Sequence, residues 1–144
     1  MRIQDSLGYL LNLDAKLIKR QLENKIKKYD ITTAQWSLLK FLAAEDNLTQ
    51  VEIANKLQAD IVTVGLIIER LVKKEVVRKV QAEHDRRAYI ISITETGRAI
   101  TGSIEEEAVK CNQAALDGLN AEEIEVLFSL LNKISQNLTK ENQL

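Results

Sequence analysis

The residues of this chain able to do chemistry are mostly cations on one short stretch. From Arg70 to Arg87 there are seven basic side chains (Arg70, Lys73, Lys74, Arg78, Lys79, Arg86 and Arg87) against Glu75, Glu83 and Asp85. A polyanionic partner requires a basic surface where it makes contact, not a basic total, and the net charge of −1 hides this local excess. Taken alone, such a run is also what an ordinary solvated helix face looks like. The inventory for catalysis is poorer. The single histidine, His84, lies in a polar stretch with no cysteine beside it, and although Glu83 and Asp85 flank it neither is defined as its partner, so it lacks the positioning that nucleophilic catalysis needs. One His and one Cys, Cys111, cannot supply a zinc site within one chain. The glycines are scattered, and none forms a phosphate-cradling loop. Glu105-Glu106-Glu107 reads as a solvated helix face and Cys111 as a half-buried helix residue, with only Lys110 beside it to lower a thiol pKa. No enzyme, cofactor or metal is expected.

The chain is 144 residues long, one domain's worth, and can bury a core without disulfides or metal. Its 45% hydrophobic and 28% charged residues are those of a folded protein rather than a disordered one. No apolar run approaches the length of a membrane span, and no basic stretch leads into an apolar region as in a secretory signal. With one unpaired cysteine, these features lead to an expectation of a cytoplasmic protein with no membrane partner.

The elements that must position the basic stretch can be read from periodicity. Ile3, Leu7, Leu10/Leu11, Leu17/Ile18, Leu22 and Ile26 keep the helical period over residues 3–29. Thr32 with Gln35 makes a capping box for a second helix carrying Trp36, Leu38, Leu39 and Leu42. Thr49-Gln50-Val51-Glu52 repeats the device for a short helix to about Leu57. Asp60 caps a fourth, running to Lys74 with Val64, Ile67/Ile68 and Leu71 as its buried stripe. The β-branched segments 76–81 and 89–93 read as two antiparallel strands, with residues 82–87 as an exposed tip. Thr94 then caps a long helix to about Leu116. Asn120 and Glu123 cap a last one, with Ile124, Leu127/Phe128, Leu131, Ile134 and Leu138 as its stripe, before a polar tail from Thr139 that should fray.

Three helices followed by a hairpin over residues 32–93 match a helix-turn-helix with a wing. Its second helix can lie in a major groove if its outer face is not needed by the core. On the helix from Asp60 to Lys74 the stripe leaves Val62, Thr63, Gly65, Leu66, Glu69 and Lys73 outside. The same pattern also fits a three-helix core bearing a hairpin of no functional use.

The residues Leu48-Thr49-Gln50-Val51-Glu52-Ile53-Ala54, Thr63-Val64 and Leu71, and Asp85-Arg86-Arg87-Ala88 followed by Ile93-Thr94-Glu95-Thr96-Gly97 resemble the MarR (multiple-antibiotic-resistance repressor) family. Gln35-Trp36 and Leu39 and the flanking long helices fit as well. The resemblance implies a mainly α, winged helix-turn-helix fold with long N- and C-terminal helices forming a dimerisation region. The expected organisation is residues 1–31 as dimerisation helix, 32–97 as DNA-binding region and 98–144 as the C-terminal dimerisation helices. It further implies a symmetric homodimer acting as a transcriptional regulator on a pseudo-palindromic stretch of double-stranded DNA. Arg87 would enter the minor groove, oriented by Asp85 and near Glu69 of the neighbouring helix. Arg86, Lys73 and Lys79 would meet phosphates, and Val62 and Leu66 would touch thymine methyls with Thr63 beside them. Thr49, Gln50 and Asp60 complete the expected DNA-facing set. A small aromatic or anionic effector would sit where Tyr9 and Leu13 of the first helix meet Trp36.

Three departures from the family pattern stand out. Glu75 replaces the usual Gly after the recognition helix, which should rearrange that turn or cost about 1 kcal/mol. Gly65 and Leu66 stand where a hydroxyl residue and an Arg are usual, removing a bidentate guanine reader and placing Gly on the contact surface. The first helix lacks the reactive Cys of peroxide-sensing members. The Leu66 departure keeps a second reading open: a winged-helix protein-interaction module that has lost specific DNA binding.

Overall fold

The computed structural model describes residues 1–142, in two compact units: residues 1–111 and the residues from Asn112 on. In the first, the N-terminal periodicity does not yield one continuous helix. Ile3–Asp5 form a single 3₁₀ turn, Ser6 breaks to extended backbone, and its hydroxyl accepts the Tyr9 N–H to start α1 (Leu7–Ile26). Lys27–Tyr29 tighten into a second 3₁₀ turn, closed by Asp30 in the left-handed region at φ 54°. Only Leu22 and Ile26 of α1 are buried. Ile3, Leu7, Leu10, Leu17 and Ile18 stay exposed, although their spacing is that of an apolar stripe.

Helix α2 (Thr33–Ala44) begins with the expected capping box: Thr32 Oγ1 accepts the Gln35 N–H at 3.1 Å, and Gln35 Oε1 accepts the Thr32 N–H at 3.2 Å. After β1 (Leu48–Thr49), α3 (Gln50–Leu57) is capped by Thr49, which accepts the Glu52 N–H. This device is not a full capping box, because the Glu52 carboxylate takes the Thr49 hydroxyl proton instead of the cap N–H. Gln58, left-handed at φ 51°, ends α3 and turns the chain into α4 (Ile61–Lys73). The core is built where these helices meet. Leu38, Leu39 and Leu42 of α2, Ile53 of α3, and Val64, Ile68 and Leu71 of α4 are all sealed from solvent, each contributing about 1.5–3 kcal/mol by burial. Ile67, expected beside Ile68, only borders this core.

The wing is larger than the expected hairpin. Strands β2 (Val77–Gln81) and β3 (Tyr89–Ile93) pair antiparallel, with Val77 opposite Ile93 and Gln81 opposite Tyr89. The two-residue β1 adds a third strand on the other side of β3, with Leu48 opposite Ile91 and Thr49 opposite Ile90, giving the order β1-β3-β2. Two residues are too few to carry a periodic signal. What holds them is the Asp46 carboxylate, which accepts the N–H groups of Asn47 and Ile93 and pairs with Arg98 at 3.2 Å.

Glu75 occupies the left-handed position after α4 at φ 60°, and the turn is not rearranged. The Val76 N–H reaches the Leu71 carbonyl and the Glu75 N–H that of Val72, the paired bonds of a Schellman end. The Thr94 hydroxyl donates to the Glu75 carbonyl and accepts the Gly97 N–H, opening α5 (Glu95–Ala115). Here Gly97 is required by space: a Cβ would lie 2.2 Å from the Val76 carbonyl oxygen and 2.9 Å from Ile93 Cγ1. Cys111, expected half-buried, is fully buried in this core.

In the second unit Gly118 turns at φ 85°, and Asn120 and Glu123 form a reciprocal capping box at 2.9 and 3.0 Å for α6 (Ala121–Asn142). Ile124, Leu127, Leu131 and Ile134 are half-buried, while Phe128 and Leu138 of the same stripe are exposed. The helix runs past Thr139, where fraying is expected, to Asn142, and residues 143–144 of that expected tail lie outside those described. No described helix is long and apolar enough to cross a membrane.

Candidate nucleic-acid interface

Helix α4 buries one aliphatic face and leaves aliphatic side chains on the outer face as well, among the exposed Thr63, Glu69, Arg70 and Lys73. Val64, Ile68 and Leu71 close the core, while Val62 is 70% and Leu66 58% exposed. The N-terminus of α4 is held by Asp60, whose carboxylate accepts the Thr63 N–H at 2.8 Å and the Thr63 hydroxyl proton at 2.7 Å. Those bonds, the hydroxyl first, favour the ionised carboxylate and hold its pKa below the ordinary value. Thr63 therefore directs its proton inward and offers lone pairs outward.

Beside this helix the structure brings together residues from three distant stretches of sequence. Thr49, Gln50, Lys79, Asp85 and Arg87 line one open groove of about 440 Å³, with Val51, Ile61, Ala88 and Tyr89 completing it. The Gln50 side-chain amide donates to the Ile61 carbonyl at 3.0 Å, tying α3 to the first turn of α4. That side chain also covers Gly65, where a Cβ would stand 2.9 Å from Gln50 Nε2. Gly65 is thus not part of an open contact surface as expected; it makes room for Gln50.

The tip between β2 and β3 is folded by its own hydrogen bonds. Asp85 Oδ1 accepts the Arg87 N–H at 2.9 Å, the Ala88 N–H reaches the Asp85 carbonyl, and Gln81 Nε2 donates to the Arg86 carbonyl. Asp85 was expected to orient Arg87 through its guanidinium, with Glu69 nearby. Instead it fixes the backbone of Arg87, and Glu69 pairs with Lys79 at 3.8 Å. The reason is local: a carboxylate two residues before an N–H closes an Asx turn on the main chain more readily than it reaches a long side chain. Arg86 and Arg87 are exposed, as is Lys73. Lys79 is less free. Its ammonium also lies over the Tyr89 ring, 4.7 Å from the centroid. Lys74, counted with the basic run, turns inward to Asp30 and Gln35.

Tyr9 and Leu13 are 39% and 37% exposed on the free part of α1, about 20 and 14 Å along the helix from buried Leu22. Trp36 is buried in the core, its indole N–H has no hydrogen-bond partner among the described residues, and Lys40 lies 4.1 Å above its ring. No described contact joins these three residues. The sequence reading missed Val51, Ile61, Ala88 and Tyr89. For Val51 a signal was available, since it falls off the Ile53/Ala54 stripe of α3. Tyr89 sits diagonally across the strand pair from Lys79, a relation that only the register reveals.

The model of the MarR family matches residues 31–89 of this chain. An uncharacterised HTH-type transcriptional regulator of Bacillus cereus is 32% identical over 122 residues, covering 83% of this chain and 81% of that protein. The chain belongs to the MarR family. As a winged-helix transcriptional regulator of that family it is also similar to solved structures. The Staphylococcus aureus MepR–DNA complex superposes with a TM-score of 0.83 at 26% identity, over 92% of this chain and 98% of that one. Bordetella bronchiseptica BpsR, whose DNA binding is regulated by 6-hydroxynicotinic acid, gives 0.83 at 25% identity over 94% and 96%.

Proposed function

We propose that this protein regulates transcription by binding a pseudo-palindromic site in double-stranded DNA as a homodimer, with α4 in the major groove and the β2–β3 tip at the adjacent minor groove. The observation that carries this reading is the exposed aliphatic pair Val62 and Leu66 on α4 beside an exposed Arg86-Arg87 tip. A water-facing helix gains nothing from Val62 and Leu66, whereas thymine methyls supply the apolar partner they lack. The Thr63 lone pairs would accept from a base amino group. Arg87 would occupy the minor groove, and Arg86 and Lys73 would contact phosphates, which position without specifying. Thr49 and Gln50 would present the start of α3 to the backbone along the groove they share with Arg87. The DNA complex of MepR supports this arrangement by family likeness.

The homodimer rests on the apolar residues of α1 and α6 that each unit leaves exposed. A regulator with two-fold symmetry requires half-sites whose centres are about 10 bp apart. We further propose control by a small aromatic or anionic effector near Trp36, a site to which no described contact brings Tyr9 or Leu13. The ligand control of BpsR supports this. So does the unpaired Trp36 N–H, because a buried donor without an acceptor costs about 1–3 kcal/mol that a carboxylate would recover.

Selection of bound sequences from a random duplex pool, with sedimentation of the free protein, tests the proposal. The expected results are a two-fold-symmetric consensus and a species of twice 16.3 kDa. A pool that stays random would favour the interaction-module reading, and a 16.3 kDa species alone at micromolar concentration would rule out the dimer.

A further inference from the structure

The recognition helix is tied at its far end to the joint where α1 passes into α2, and one lysine makes the tie. Lys74 caps the C-terminus of α4. Its side chain is only 27% exposed, and the ammonium is shared among three acceptors. These are the Asp30 carbonyl, Gln35 Oε1 at 3.1 Å, and the Asp30 carboxylate at 3.7 Å. Gln35 is 4% exposed, and its Oε1 also accepts the Thr32 N–H of the α2 cap. Asp30 is the left-handed residue that ends the 3₁₀ turn after α1. The same turn is gripped from another side, where Lys28 pairs at 3.4 Å with Glu107 of α5. The joint thus adds a polar hub, made at helix ends, to the apolar packing of Ile26, Ile31 and Leu71 beside it.

We infer that Lys74 is a positioning residue for DNA recognition, setting the angle of α4 relative to α1 and hence the separation of the two recognition helices in the dimer. The inference rests on the DNA-binding reading above. From Lys74 to the residues that would meet bases, near Val62, α4 forms a lever about 18 Å long. A tilt of about 5° at the anchored end moves the reading end by roughly 1.6 Å, about half the 3.4 Å rise of a base step. An ammonium held by the buried Gln35 Oε1 and the Asp30 backbone carbonyl resists that tilt in a direction that an aliphatic side chain at the same place does not. Lys74 faces the joint and not the groove, so it contacts no DNA in this arrangement.

The test compares wild type with Lys74→Met, which keeps the packing stem and removes the charge, and with Lys74→Arg. Each binds the wild-type-selected duplex and two variants in which the spacer between half-sites is one base pair shorter or longer. Wild type should discriminate against both altered spacers. Lys74→Met should reduce that discrimination ratio by about threefold or more, within the range by which residues off the contact surface modulate coupling. Lys74→Arg should restore at least part of it. A loss of folded protein lowers binding to all three duplexes alike and leaves the ratio unchanged, so the ratio separates positioning from stability. If wild type discriminates and Lys74→Met keeps the same ratio, the inference is overturned while the DNA reading stands. If wild type selects no paired half-sites, the DNA reading falls and this inference with it.

Discussion

Replacing Gly97 with alanine adds one methyl group where the start of α5 closely approaches Val76 and Ile93. The new Cβ would lie 2.2 Å from the Val76 carbonyl oxygen, 3.1 Å from its carbon and 2.9 Å from Ile93 Cγ1. A rotamer change could clear the Ile93 contact, but the carbonyl belongs to the backbone at the start of the wing and cannot yield alone. Relief requires the first turn of α5 to retreat by about 1 Å to reach ordinary contact. That retreat stretches the Thr94 N–H bond to Val76 O and the Gly97 N–H bond to Thr94 Oγ1, both 3.0 Å. Overpacking of this kind costs about 1–3 kcal/mol, and weakening two hydrogen bonds adds about 1–2. Against this, Gly→Ala in a helix returns up to about 1 kcal/mol. The expected net destabilisation is about 1–4 kcal/mol. Gly102 lies on the same helix, and a methyl group there would meet nothing within 4 Å, so Gly102→Ala should stabilise by up to about 1 kcal/mol. Urea denaturation followed by circular dichroism, at equal protein concentration for all three proteins, measures both. If Gly97→Ala matches wild type or shifts in the same direction as Gly102→Ala, close approach is not why glycine stands there.

Glu75→Gly should stabilise by about 1 kcal/mol in the same assay, because it relieves a side chain at φ 60° while keeping the Schellman bonds; an unchanged midpoint would count against strain at that turn. Arg87→Ala should weaken specific DNA binding by about 1–3 kcal/mol with an unchanged circular dichroism spectrum, and wild-type affinity across a salt series would show the tip to be idle. Lys73→Ala should instead lower the slope of log affinity against log salt by about one, leaving the selected sequence the same; a changed consensus would refute its assignment to phosphate. Asp60 contributes more to folding when ionised than when protonated. Its pKa is lowered on folding, so that contribution is complete above the ordinary aspartate value of 3.8 and is lost as pH falls through the lower folded value. Asp60→Asn should therefore flatten the acid limb of stability below about pH 4; an identical limb would mean that the cap is indifferent to charge.

What the sequence determined by itself is local and short-range. The capping pairs Thr32/Gln35 and Asn120/Glu123, the Asp60 cap and the α4 stripe of Val64, Ile68 and Leu71 are set by neighbours three or four residues apart, so their spacing is their structure. The Asp85-Arg86-Arg87 tip was equally readable, flanked by two β-branched segments. Tertiary structure decided which partner each charge takes. Lys74 and Arg87 look alike in a basic run, yet one is drawn to Asp30 and Gln35, about forty positions earlier, while the other stays exposed. Asp85 was assigned the guanidinium but holds a backbone N–H, and Glu69 took Lys79 instead. The strand at Leu48–Thr49 exists only because β3 offers it an edge. Gly97 fits a helix start for many reasons in sequence, and for one in space: the Val76 carbonyl leaves no room for a Cβ. Periodicity records which face of a helix is apolar, but electrostatic pairing and close approach depend on distances between residues far apart in the chain, and only the fold sets those.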